Sequence, residues 1–111
     1  PLVIGGDVHC TWVADLKTDF DDAKSPVIAT EFCGTSITSQ GPSARQIAAT
    51  LAENPHIRYG NGKRGYVTME LTRERCTAAV RGLANEKRAD SPIATLATFV
   101  VDNGRPGAQP A

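Results

Sequence analysis

Two residues near the start of the chain have the types and spacing for metal chemistry. Asp7 and His9 stand one residue apart in Gly6-Asp7-Val8-His9, directly after the apolar run Leu2 to Ile4. If the backbone stays extended there, alternation sends both side chains to the same face. A carboxylate oxygen is a hard ligand for calcium, magnesium or manganese, and a neutral imidazole suits iron or zinc. Such a pair can serve two ions of a phosphoester hydrolase, which sit roughly 3.5–4 Å apart, activate a water and stabilise the attacking and leaving oxygens. Asp-x-His is also common as a turn aspartate beside a hydrogen-bonded histidine, so the motif alone leaves both readings open.

The elements that must position these residues can be read from periodicity. Leu2 to Gly6 reads as a short buried strand entering a loop, and Thr11 to Leu16 as a second extended piece. Polar, acidic Lys17 to Ser25 connects to an apolar strand over Val27 to Cys33, closed by Gly34. After a Ser-, Thr-, Gly- and Pro-rich stretch, Ala44 to Glu53 carries Ile47 and Leu51 at helical spacing, with Pro42-Ser43 to start the helix and Asn54-Pro55 to end it. Asn61-Gly62 signals a turn. Behind it Tyr66 to Leu71 alternates, and Cys76 to Leu83 alternates after Thr72 to Arg75, which predicts a hairpin, although the alanines leave a helix open. Ile93 to Asp102 supplies the last strand, and Asn103-Gly104-Arg105-Pro106-Gly107 opens a tail. The reading is a strand-rich α/β unit of about five to seven strands with one clear helix.

Four other positions carry a chemical and a structural reading side by side. His56, at the helix exit, could contact phosphate or donate a proton, or simply cap the turn. Arg64 could clamp a phosphate oxygen with its planar fork, or pair with a surface carboxylate. Gly34-Thr35-Ser36 could hold an anion on backbone N–H groups, but it lacks the lysine and spacing of a phosphate-binding loop. Glu31, in an apolar strand, is expected to pair internally, because an isolated buried carboxylate is costly.

Composition excludes several classes. Twelve basic and twelve acidic residues are mixed along the 111-residue chain, so no basic footprint points to nucleic acid or an anionic membrane surface. No apolar stretch approaches the roughly 20 residues of a membrane-spanning helix. Cys10, Cys33 and Cys76 are odd in number and widely spaced, matching neither a zinc pattern nor a disulfide framework, and are expected to be free thiols. A start inside a strand is expected of a longer protein's segment, and 111 residues are few for a binuclear hydrolase with two packed sheets.

The chain resembles the alkaline phosphatase D (PhoD-like) family along nearly its whole length. The landmarks, in order, are Gly6-Asp7-Val8-His9, Thr11 to Leu16, Thr30-Glu31-Phe32-Cys33-Gly34 through Ser39, Glu53-Asn54-Pro55-His56-Ile57, Arg64-Gly65-Tyr66-Val67 and Ala97 to Val101. The resemblance implies a calcineurin-like four-layer α/β metallophosphoesterase sandwich, of which residues 1–102 would be the C-terminal part and 103–111 a tail. It implies phosphate-ester substrates, iron and calcium as metals, and Asp7 and His9 as ligands. His56 and Arg64 stay weaker candidates for substrate or supporting contacts. The family's remaining ligands, its cysteine included, belong to an N-terminal half with no counterpart here, so Cys10 is read as a small buried thiol rather than a ligand. An exported parent protein is likewise implied. Self-association is expected too, because the apolar strands Leu2 to Ile4 and Val27 to Phe32 would meet the missing half. The competing reading is a stand-alone, non-catalytic α/β binding or assembly module; an Asp- and Asn-His-bearing segment upstream in the same polypeptide would discriminate against it. If the ligand reading holds, Asp7→Ala and His9→Ala in the parent enzyme each lower phosphatase activity by orders of magnitude without unfolding it, whereas near-normal turnover with full metal content removes both from the site.

Overall fold

The computed structural model describes all 111 residues. Four strands form the first sheet: β1 (Leu2–Gly5), β2 (Thr11–Lys17), β3 (Val27–Cys33) and β4 (Ile57–Asn61). Their order is β1-β3-β2-β4, with β1 parallel to β3 and the other pairs antiparallel. A helix, α1 (Ala44–Glu53), lies between β3 and β4 in sequence. The second sheet is a meander of β5 (Gly65–Leu71), β6 (Arg75–Leu83), β7 (Ile93–Asp102) and the two-residue β8 (Gln109–Pro110).

Alternation along β6 explains how the sheets meet. Cys76, Ala78, Val80 and Gly82 are buried, while Thr77, Ala79, Arg81 and Leu83 are half-buried, as a strand with one face on a core requires. Cys76, Ala78 and Val80 join Phe99, Val101 and Ala108 of the second sheet and its return segment against Val13 and Phe32 of the first. Tyr59 of β4 completes the contact edge-on to Phe99, ring centroids 5.3 Å apart. The helix packs beside β4 on the opposite face of the first sheet, because Trp12 and Ile47 both close over Gly60, where an added Cβ would lie 2.4 Å from the Trp12 ring.

The helix bounds follow from its caps. The Ser43 hydroxyl accepts from Gln46 N at 3.2 Å and Gln46 Oε1 accepts from Ser43 N at 2.7 Å, a reciprocal capping box. The β5–β6 hairpin closes through Thr72, whose N–H donates to the Arg75 carbonyl and whose hydroxyl accepts from Arg75 N, so the helical alternative for residues 76–83 is not realised. Asn61-Gly62 makes the expected turn, with Asn61 Oδ1 accepting from Lys63 N at 2.8 Å. That turn carries the chain from the first sheet to the second.

Three expectations change. Residues 103–111, read as a tail, turn at Gly104 (φ 76°) and fold back onto the molecule. Ala108 enters the core, Gly107 N donates to the Thr30 hydroxyl at 2.9 Å, and Gln109–Pro110 pairs with Phe99 and Val100. The strand count rises to eight through that two-residue return, too short to leave a pattern. Glu31 is only half-buried and takes part in none of the three ion pairs, since β3 lies next to the exposed edge strand β1 and water reaches its carboxylate. No helix is long and apolar enough to cross a membrane.

Phe32 is 2% exposed and stands where the sheets join. Phe32→Ala is expected to cost about 3–5 kcal/mol in urea unfolding, against a near-zero effect of Phe20→Ala, whose ring is exposed. Equal effects would place the core elsewhere.

Candidate metal centre

Strand directions decide where the ligand loop emerges. Because β1 runs parallel to β3 and β2 antiparallel to it, Gly5, Cys33 and Trp12 stand side by side at one end of the first sheet. The β1–β2 connection, residues 6–10, therefore arches over the end of β3. The loop after β3 and the turn after β4 come out at the same end, since Thr11 pairs with Asn61. Gly34 N donates to the Gly5 carbonyl at 2.9 Å, and Gly65 N to the Ser36 carbonyl at 3.1 Å, which joins the three connections.

The backbone through the motif is not extended. Asp7 (φ 79°) and His9 (φ 57°) both occupy the left-handed region, so strand alternation does not set their directions. Asp and His are among the side chains that tolerate this region best. Each such residue still costs about 1–3 kcal/mol and persists only where its surroundings hold it.

His9 is held tightly. Its Nδ1 lies 2.8 Å from the Gln40 carbonyl, which can only accept, so Nδ1 is the donor and, in a neutral ring, Nε2 is the nitrogen with the lone pair. A ring nitrogen donating to a carbonyl while the other remains free is the arrangement of a metal-ligating histidine. Asp7 is exposed and takes part in none of the chain's ion pairs. The two donors thus fit part of a metal site. Only part, because no three His, Cys, Asp or Glu side chains come close enough to hold a metal.

Arg64 is 4% exposed and lies beneath this loop. Nη1 donates to Ser36 Oγ at 2.6 Å and to the Ser39 carbonyl; Nη2 donates to the His9 carbonyl at 2.7 Å and to the Gly62 carbonyl. All four terminal N–H groups are occupied by protein oxygens. Ser36 is likewise engaged, its hydroxyl accepting from Arg64 and donating to the Ser39 carbonyl. Neither sequence reading of Arg64 described this arrangement.

His56 lies elsewhere. Its carbonyl accepts from Asp15 N at 2.8 Å, toward the far end of β2 from Thr11, about 13 Å along the strand at roughly 3.3 Å per residue. Its ring meets Phe20 edge-on at 4.7 Å, beside a cavity of about 410 Å³ that Asp15, Lys17 and Arg58 also line. The structure therefore does not bring His56 to Asp7 and His9. Sequence reasoning passed over Gln40, Gly41 and Asp15. Asp15 is buried and bonded to Arg58 at 3.1 Å, and its place in an alternating strand gave no sign of it.

The three cysteines are free and buried. Burial, the neighbouring Cys33 and, in the opposite sense, Arg64 combine to push the Cys10 thiol up to about 11. Burial also raises Cys33 and Cys76.

Known proteins resembling this chain show its family. A family model described as PhoD-like phosphatase matches residues 1–80. Alkaline phosphatase D of Bacillus subtilis (strain 168) is 38% identical over 109 residues, which is 96% of this chain and 19% of that protein. A solved structure of PhoD matches with a TM-score of 0.89 and 35% identity, over 99% of this chain and 22% of that one. The strand-rich two-sheet unit is thus shared with the PhoD structure. The chain belongs to the PhoD-like phosphatase family, and it spans about a fifth of the length of these two relatives.

A thiol raised to about 11 is about one-thousandth thiolate at pH 8, so Cys10 in the folded chain is expected to resist alkylation by iodoacetamide at least a hundredfold relative to the unfolded chain. The unfolded thiol releases its proton first as pH rises from about 9 toward 11, so this group lowers stability across that window. Rapid labelling of Cys10 in folded protein at pH 8 would contradict the protonated, buried thiol.

Proposed function

We propose that this chain is the C-terminal part of a metal-dependent phosphoric ester hydrolase and that Asp7 and His9 are two of its metal ligands. The observation that carries the reading is the His9 ring, fixed through Nδ1 on the Gln40 carbonyl with Nε2 left free, on the same short loop as the unpaired Asp7 carboxylate. Family membership supplies the reaction class, since the relative it matches is an alkaline phosphatase.

Donor chemistry sorts the metals: the imidazole nitrogen suits iron and the carboxylate oxygen suits calcium. When bound, such a pair supplies an activated water and stabilises charge on the attacking and leaving oxygens. This chain's own part is to present one nitrogen and one oxygen from a single loop and to fix the tautomer and orientation of the neutral ring by committing the Nδ1–H to Gln40. Two side chains do not fix two ions, and no third ligand lies near them, so the remaining ligands come from residues outside these 111. That the relatives are about five times longer supports this.

Two further parts belong to the reading. Export of the parent protein follows from family membership alone. Self-association of the isolated chain is supported by the edge strand β1, where Ile4 is 68% exposed and Val3 and, on β3, Ile28 are also open to solvent.

The isolated chain is expected to be inert toward para-nitrophenyl phosphate and bis-para-nitrophenyl phosphate with iron and calcium added. The same assay, with metal content measured in parallel, is decisive against the reading if turnover appears and vanishes in a His9→Ala variant, because the chain would then build a complete site by itself.

A further inference from the structure

We propose that Arg64 is a positioning residue for the His9 ligand, acting with Gly41 to hold the His9 peptide so that its ring meets the Gln40 carbonyl. The inference rests on the metal-site reading above and extends it to residues that touch no metal.

Three separate contacts converge on His9. The Arg64 Nη2 donates to its carbonyl at 2.7 Å. Gly41 packs against the same carbonyl, since a Cβ at that position would lie 2.0 Å from His9 O and 2.9 Å from His9 C. Gln40, the residue before Gly41, receives the ring proton at 2.8 Å. One peptide is thus pinned from the side of the β4–β5 turn by Arg64 and from the side of the helix approach by Gln40-Gly41, and this is the peptide of a residue at φ 57°. Strain of that kind survives only where the surroundings over-determine it.

Burial of the guanidinium points the same way. A cation 4% exposed is costly unless its donors are satisfied, and here Ser36 Oγ and the Ser39, His9 and Gly62 carbonyls satisfy all four terminal N–H groups without any carboxylate. Those oxygens come from three connections, so the planar fork sets their mutual spacing. A lysine keeps the charge but presents its donors from a single nitrogen and cannot reproduce that spacing.

The test uses the full-length enzyme carrying this chain, with Arg64→Lys, Gly41→Ala, His9→Ala and the surface control Arg88→Ala, whose wild-type side chain pairs with exposed Asp90. Iron and calcium per protein are measured after dialysis against graded chelator, together with the thermal midpoint of the metal-free protein. Arg64→Lys and Gly41→Ala are expected to bind iron about tenfold to a hundredfold more weakly, the usual cost of losing a contact that orients a ligand. Iron should fall more than calcium, because the pinned residue is the nitrogen ligand; general destabilisation would lower both together. Should Arg64→Lys not fold, Gly41→Ala decides alone. If His9→Ala loses iron while folded Arg64→Lys and Gly41→Ala retain it, or lose iron and calcium equally, the positioning role is wrong and the metal reading stands. If His9→Ala itself keeps full iron, the metal reading falls and this inference with it.

Discussion

A guanidinium buried without a counter-ion has to be paid for by oxygen acceptors, and Arg64 finds its acceptors in the loops that make the candidate site. It stands where the chain leaves the first sheet at Asn61 and enters the second at Gly65. Leaving one of its buried N–H groups without an acceptor would cost about 1–3 kcal/mol. The crossover between sheets, the connection after β3 and the loop bearing Asp7 and His9 are therefore one mechanical unit. Cys10, next to His9, lies close enough to Arg64 that the guanidinium opposes the rise of its thiol pKa, although burial prevails.

The rest of the molecule supplies a base for that unit and leaves its other side open. Below it, Val13 and Phe32 face Val80 and Phe99, and the return segment closes the sandwich by seating Ala108 in the core and bonding Gly107 N to the Thr30 hydroxyl. Toward β1 the packing thins. Val3, Ile4 and Val8 are exposed, and β1 has a hydrogen-bonded neighbour on one side only. A parallel strand ordinarily has both faces covered, so an exposed parallel edge is in keeping with the proposal that these residues are part of a larger fold. The loop bearing Asp7 and His9 grows out of that thin side while being anchored on the thick one.

Much of the fold was legible because local patterns and tertiary demands agree. The helix bounds came from Ser43 and Asn54-Pro55, and a capping box with Gln46 enforces the first of them. The hairpin came from alternation that burial along β6 reproduces residue by residue. What escaped depends on partners far apart in sequence. Arg64 and His9 are 55 residues apart, and nothing in Arg64-Gly65-Tyr66 says that its fork will close on carbonyls. Gly41 reads as an ordinary loop glycine until His9 is placed against it. Asp7 and His9 were singled out by type and spacing, but the extended backbone assumed for them is not the one the loop adopts. Left-handed φ at non-glycine residues is imposed by surroundings that a local pattern does not contain. The return strand escaped because Gln109–Pro110 is too short to alternate.

Charge accounting gives the proposed site its last constraint. Arg64 brings a full positive charge beneath the loop and spends it on neutral oxygens, so none of the loop's negative charge is used to balance it. Asp7 is the one acidic side chain in the loop of residues 6–10, and His9 ligates only as a neutral ring. A cation held at the proposed site would feel that buried positive charge, because like charges repel more strongly where bulk water does not screen them. On the metal reading proposed above, ligands contributed from outside these residues would then be chiefly anionic. Under that proposal, a segment that completed the site with neutral amides and carbonyls alone would leave the metals and a guanidinium facing a single aspartate, and the same Arg64 proposed to fix His9 would work against them.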